Sequence, residues 1–330
     1  MNVFTRLATC LLFAPNLSNG IEAESFDYLP ITRADLNRVE AEWQSRDLSA
    51  QEVKVIAESE VDGGKLMIIR HEMPSSRAHF GAVIIPDLDD VSEAPVVVVA
   101  DGLSQGDPTI DMERMIQKYR TFEPLDGFVM IFPSFRGRFM RYKDSGWFSR
   151  GDFCDAYDGA ADDAIAALGA AEEVLPEVSF DRVLVWGESR GGNTAYLMAS
   201  RDNRVDTIIA MAAPADFYRE SWQIEGTDQY RCQFFDGRSA TEARRKILAS
   251  SPLYFEPTSS LKRVFIYHDE GDNIVPAWNA REMTAHLESH SVDVTTHIYP
   301  TEGHGAFSRE DAFWEHVRGA VAEFENSLGN

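Results

Sequence analysis

Three side chains in this sequence have the types, order and local settings that nucleophilic acyl chemistry requires: Ser189, Asp272 and His304. Ser189 sits in Gly187-Glu188-Ser189-Arg190-Gly191, with Gly192 directly after. A G-x-S-x-G run lets a serine stand at the crest of a tight strand-to-helix turn, where any side chain two residues to either side would collide with the backbone. A serine hydroxyl is a weak nucleophile near neutral pH, so it needs a base, and the base needs an acid to orient it. His304, in Tyr299-Pro300-Thr301-Glu302-Gly303-His304-Gly305, is the candidate base. Asp272, in His268-Asp269-Glu270-Gly271-Asp272-Asn273-Ile274-Val275-Pro276, is the candidate acid, with Asp269 on the same loop as its substitute. A tetrahedral intermediate would also need two backbone donors. The amide of Arg190 is one candidate, and the amide of Leu103, in Ala100-Asp101-Gly102-Leu103-Ser104, is the other.

These residues can meet only if their loops lie on one edge of a sheet, and the hydrophobic pattern predicts such a sheet. Short β-rich runs at Glu52–Glu60, Lys65–Met73 and Phe80–Pro86, broken by Asp62-Gly-Gly and Pro-Ser-Ser, read as antiparallel hairpin strands. From Pro95 onward, apolar runs of about five residues alternate with helical stretches, the mark of a buried parallel sheet. Strands are expected at Pro95–Ala100, Gly127–Phe132, Arg182–Trp186, Thr207–Ala212, Arg263–Tyr267 and Val292–Tyr299. Helices are expected at Met112–Phe122, Asp155–Val174, Gly191–Ser200 and Asp311–Leu328, with a short one beginning near Thr32. The expected fold is α/β: an open, doubly wound, mostly parallel sheet preceded by antiparallel strands, forming one domain over 21–330. The segment 213–260 is too long for a simple connection and carries Tyr218, Trp222, Tyr230, Phe234, Phe235 and Tyr254, so it reads as a lid or cap insertion.

The chain has 330 residues, 44% of them hydrophobic, enough for a sizeable core without a structural metal. Fifty-four acidic against 31 basic side chains give a net charge of −23, which repels nucleic acid and anionic lipid. Residues 1–20, with Arg6, the apolar Leu7–Ala14 and small residues at Ser18 and Gly20, have the pattern of a signal peptide, so a secreted or periplasmic location is expected. The run is too short to span a bilayer. Removal of that leader takes Cys10 with it, leaving Cys154 and Cys232 either paired or as separate buried thiols. His286 and His290 are spaced i and i+4 without a third ligand, so no metal is expected, and the chemistry needs no cofactor. His71, His79, His297 and His316 read as structural or surface groups, and His268 stands near the acid loop.

The order Ser189, Asp272, His304 is that of the α/β-hydrolase fold. From about Pro95 to the end, the chain resembles the catalytic domain of the prolyl oligopeptidase family and its dienelactone-hydrolase-like relatives. The passages that carry the resemblance are Pro133-Ser-Phe-Arg-Gly-Arg, Trp186-Gly-Glu-Ser-Arg-Gly-Gly, Ser250-Ser-Pro-Leu-Tyr-Phe, Asp272-Asn-Ile-Val-Pro and Glu302-Gly-His-Gly. The resemblance implies a serine hydrolase acting on a short peptide or a small ester through an acyl-enzyme. Where such relatives show His-Gly after the first central strand, this chain has Asp101-Gly102, and no tyrosine stands there to serve as an oxyanion donor. Peptidase, carboxylesterase and thioesterase activities stay open at this point. The rival outside that class is a hydrolase-like binding protein without chemistry, which the intact trio argues against. The oligomeric state is open.

Overall fold

A computed structural model describes residues 30–329, apart from 75, 105–106, 121–124 and 220–229. The expected leader at 1–20 and Trp222 lie outside the described residues. One nine-stranded sheet organises the chain. Its first part is an antiparallel meander of β1 (Gln51–Val61), β2 (Gly64–Met73) and β3 (Ser76–Pro86). The central strands are β4 (Val96–Ala100), β6 (Val129–Ser134), β9 (Val183–Glu188) and β10 (Val205–Met211), and β11 (Arg263–Gly271) and β12 (Asp293–Glu302) complete the far edge. The spatial order is β1-β2-β3-β6-β4-β9-β10-β11-β12, with β3 antiparallel to β6 and every later pair parallel.

The central strands are mostly apolar because both faces are covered. Every residue of β4, β6 and β10 is buried. On one face pack α1 (Arg33–Ser45), α3 (Asp158–Val174), α4 (Arg190–Ala199) and α6 (Trp278–Ser289), through Val39, Ala164, Leu197 and Met283. On the other lie α2 (Met112–Arg120) and α7 (Asp311–Leu328), through Met115, Tyr119, Val317 and Phe324. This is the doubly wound α/β architecture expected from the alternation of apolar runs.

The structure adds a three-stranded sheet of β5 (Thr109–Asp111), β7 (Phe139–Tyr142) and β8 (Ser145–Phe148), which the hydrophobic pattern did not anticipate. Three or four residues hold too little of a period-2 pattern to stand out from a loop. Within 213–260 the described residues form a π-helical turn at Arg231–Phe235, then α5 (Ala240–Ala249) and a 3-10 turn at Pro252–Tyr254. A disulfide joins Cys154 to Cys232 across 78 positions, with Cα atoms 5.2 Å apart. Beside it, Gln233 accepts the Ala156 N–H at 2.8 Å and donates to the Phe153 carbonyl at 3.2 Å, so the π-turn is fastened to the loop that enters α3.

Candidate active site

Ser189 occupies the turn between β9 and α4 with φ 54° and ψ −117°, a region that non-glycine residues rarely enter. The flanking glycines make that turn sterically possible. A Cβ on Gly187 would overlap the Gly191 carbonyl, one on Gly191 would overlap the Ala100 carbonyl, and one on Gly192 would come within 2.5 Å of Ala213 Cβ. The strained serine is held from outside: its N–H donates to the Met211 carbonyl at the end of β10 at 2.7 Å. Asn193, fully buried one turn into α4, donates to the carbonyls of Pro214 and Ser250 at 2.9 Å each, tying the helix to both ends of the 213–260 segment.

Asp272 and His304, 32 positions apart, meet at the same sheet edge. His304 Nδ1 lies 2.7 Å from Asp272 Oδ2. The Asp272 carboxylate is buried, and its Oδ1 accepts the N–H groups of Ile274 and Val275 at 2.8 Å each. With those amides on one oxygen, the other faces the imidazole, so the proton on that ring belongs on Nδ1 and Nε2 is left as the basic nitrogen. A histidine held in this tautomer can take a proton from a hydroxyl and return it to a leaving group.

The neighbouring candidate, Asp269, does a different job. It accepts the N–H of Ala306 at 2.9 Å, the N–H of Phe307 at 2.7 Å and the Thr301 hydroxyl, bracing the turn that carries His304. His268 donates from Nε2 to the Val275 carbonyl at 2.7 Å. Burial holds its pKa below the ordinary imidazole range, which suits a neutral strut for the acid loop. Neither role could be read from residue type. The only sequence signal was the position of both residues at the end of an apolar strand.

Leu103 lies in the loop after β4, half-buried against a cluster of Tyr157, Phe217, Phe234, Ile247 and Val275. The rings of Tyr157 and Phe217 are 4.5 Å apart, and those of Phe217 and Phe234 are 5.2 Å apart. This cluster joins the Leu103 loop, the Val275 end of the acid loop and the π-turn that the disulfide fastens. Arg190, the other expected backbone donor, is the first residue of α4, so its N–H is one of the unpaired amides at the positive end of that helix.

The other histidines are engaged elsewhere. His71 and His79 face one another across β2 and β3, and burial pulls His71 down to about 4. His297 and His316 stack with centroids 3.7 Å apart. His286 Nε2 donates to the Phe255 carbonyl at 3.0 Å, and His290 Nδ1 to the His286 carbonyl at 2.8 Å. Among the described residues, no group of three His, Cys, Asp or Glu side chains could hold a metal, and no helix is long and apolar enough to cross a membrane.

The doubly wound sheet, with a serine elbow after β9 and an aspartate and a histidine beyond β11 and β12, defines a hydrolase of the α/β-hydrolase fold. Residues 122–329 match the family model of the prolyl oligopeptidase family, and the chain belongs to that family. Among solved structures it is similar to acetyl xylan esterase 1 from Thermoanaerobacterium sp. JW/SL YS485, at 15% identity and TM-score 0.62, covering 92% of this chain and 99% of that one. It is also similar to a puromycin-hydrolyzing peptidase of Mycobacterium tuberculosis, at 19% identity and TM-score 0.60, covering 81% of this chain and 40% of that one. A third is dipeptidyl peptidase 4 of Porphyromonas gingivalis, at 21% identity and TM-score 0.58, covering 79% of this chain and 36% of that one. The chain thus spans well under half of either peptidase. No curated protein sequence matches it.

Proposed function

We propose that this chain hydrolyses a carboxylic acyl bond through an acyl-enzyme on Ser189. The observation that carries the reading is the 2.7 Å contact between His304 Nδ1 and Asp272 Oδ2 at the edge where the strained Ser189 turn stands. Ser189 Oγ attacks the carbonyl carbon while His304 Nε2 takes its proton. The amides of Arg190 and Leu103 receive the negative charge that develops on the carbonyl oxygen. The intermediate collapses, and His304 returns the proton to the departing alkoxide or amine. Water then repeats the sequence on the acyl-enzyme, releasing the acid and restoring the serine.

For the bond cleaved, an ester is the first reading. The described side chains packed against Leu103 are aromatic and aliphatic, a neighbourhood that suits an uncharged acyl or alkyl group. Among the described residues, the buried Asp216 beside Phe217 is engaged inside the protein, accepting the Tyr218 N–H at 2.7 Å and the Tyr254 hydroxyl at 2.8 Å. The likeness to an acetyl xylan esterase, which runs nearly end to end, supports this reading. Family membership favours a second, a peptidase acting on short peptides. We also place the chain in an oxidising, extracytosolic compartment, where a bond such as Cys154–Cys232 persists.

Paired substrates test this, an ester and an anilide of the same acyl group, with Ser189→Ala as control. The variant is expected to lose about 10⁴-fold or more in kcat. Ester turnover far above anilide turnover supports an esterase, and comparable rates support a peptidase. Hydrolysis that survives in Ser189→Ala overturns both.

A further inference from the structure

Two buried guanidinium groups lie against the loop that follows β4. Arg138, from the turn between β6 and β7, and Arg190, the residue after Ser189, are each 1% exposed. Burial of an arginine is costly unless its donors are well used, so side chains of this kind mark places where a rigid fork of N–H groups has a task. Among the described residues Arg190 joins no ion pair, and the carboxylate nearest Arg138, that of Asp101, is 3.9 Å away. The donors go instead to main-chain oxygens of one loop. Arg190 Nη2 donates to the carbonyls of Asp101 at 2.8 Å and Gly102 at 3.0 Å, and its Nε reaches Asp101 O at 3.2 Å. Arg138 donates from Nη1 to Gly102 O at 3.4 Å and from Nε to Pro108 O at 3.1 Å. The Phe135 ring, 4.1 Å from the Arg190 guanidinium carbon, supports the fork from its other face.

The peptide bonds of the described residues are trans, so each carbonyl points opposite to the N–H of the following residue. Two successive carbonyls, Asp101 and Gly102, are drawn to one side by Arg190. The N–H groups of Gly102 and Leu103 therefore turn together to the other side, an arrangement that makes a concavity for an anion. The same loop presses on the serine turn: a Cβ on Gly102 would stand 3.8 Å from Ser189 Cβ and 3.5 Å from the Glu188 carbonyl.

We propose that Arg138 and the side chain of Arg190 are positioning residues which hold the Asp101 and Gly102 carbonyls from behind and so aim the Leu103 amide at the oxyanion formed on Ser189. The proposal rests on the acyl-enzyme reading above. It also gives the Asp101-Gly102 pair a working oxyanion loop without a tyrosine hydroxyl.

The test compares Arg138→Met, Arg138→Lys and Arg190→Met with the wild type in the full chain. Three quantities are read: kcat and KM on the ester, affinity for a boronic acid that forms a tetrahedral adduct on serine, and hydrogen exchange of peptides spanning residues 100–104. Arg138→Met is expected to lower kcat about 10²-fold with KM within about threefold, because an oxyanion donor acts only in the transition state. Boronic acid affinity falls with kcat, product-acid affinity does not, and Arg138→Lys recovers part of the loss. Exchange in 100–104 quickens while the rest of the chain is unchanged. If Arg138→Met fails to fold, Arg138→Lys and Arg190→Met carry the same comparison. Variants with wild-type kcat, or with KM raised and kcat intact, overturn the proposal. If the wild type shows no Ser189-dependent turnover, the acyl-enzyme reading is what fails, and unchanged exchange in 100–104 then refutes the arginine brace by itself.

Discussion

Asp272 and Asp158 are both almost wholly buried, yet the protein satisfies them by opposite means. Asp272 takes two amides from its own loop and the imidazole of His304. Asp158, at the start of α3, is surrounded by cations from distant parts of the chain: Arg46 just after α1, Arg201 just after α4 and Lys246 in α5, at 2.8, 2.8 and 3.3 Å. Trp43 of α1 adds its indole N–H at 3.0 Å, and the Arg201 guanidinium stacks 3.8 Å from the Trp43 ring. Burial opposes the charge on Asp158, but Lys246, Arg201 and Arg46 outweigh it and hold the carboxyl well below the usual range. One carboxylate fixes the orientation of the His304 imidazole, and the other ties α1, α3, α4 and α5 into one block. In the proposed mechanism, the hydrogen bonds at Asp272 serve the chemistry, and long-range ion pairs serve the frame.

That contrast breaks most sharply at Asp272. In Asp272→Asn the amide NH₂ faces His304 Nδ1 and forces the proton onto Nε2, where it cannot accept from a serine. Rate assays are expected to show kcat down about 10⁴-fold, and thermal melting little change. Asp158→Asn should do the reverse. With three cations left around a neutral amide, stability falls by about 3–5 kcal/mol and the melting temperature by roughly 10 °C, while kcat well below the melting point stays within about twofold. A large loss of kcat in the folded Asp158 variant would dissolve the distinction between frame and chemistry.

Asp269 sits between these extremes. Asp269→Ala leaves the Ala306 and Phe307 amides without their acceptor, so the turn after His304 loosens, and kcat is expected to fall on the order of 10–100-fold. A loss as large as that of Asp272→Asn would make Asp269 the orienting acid.

The smallest effect is a pH dependence at Asp216. Burial, opposed by the Tyr254 hydrogen bond, raises its carboxyl from 3.8 to about 6. The native chain therefore keeps a proton that the unfolded chain has released, and this group's contribution to stability falls as pH rises from about 4 to about 6, then stays level. Asp216→Asn does not titrate, so it should gain on the wild type between urea midpoints taken at pH 4 and pH 8. A constant gap would show that the carboxyl is not raised.

The proposed catalytic pieces were readable from sequence because each obeys a local rule. The glycines at 187, 191 and 192 lie within three residues of Ser189, where the tight turn leaves no room for a Cβ, and Asp272 and His304 each follow a strand by a short loop. The alternation of strands and helices likewise made the sheet legible, since a strand covered on both faces is mostly apolar. The small sheet of β5, β7 and β8 escaped notice because its strands are three or four residues long.

What the tertiary structure decided is how distant residues meet. Cys154 and Cys232 could have paired or stood apart, and only folding brings their Cα atoms to 5.2 Å. The acid loop offered Asp272 with Asp269 as its substitute, and three dimensions gave the imidazole to Asp272 and the turn after His304 to Asp269. No local pattern marks Arg46, Asp158 and Arg201 as buried charges, because a buried charge is recognisable only with its partners and those lie tens of positions away. Steric rules act between neighbours in the chain and are written in its order, whereas electrostatic compensation acts between neighbours in space.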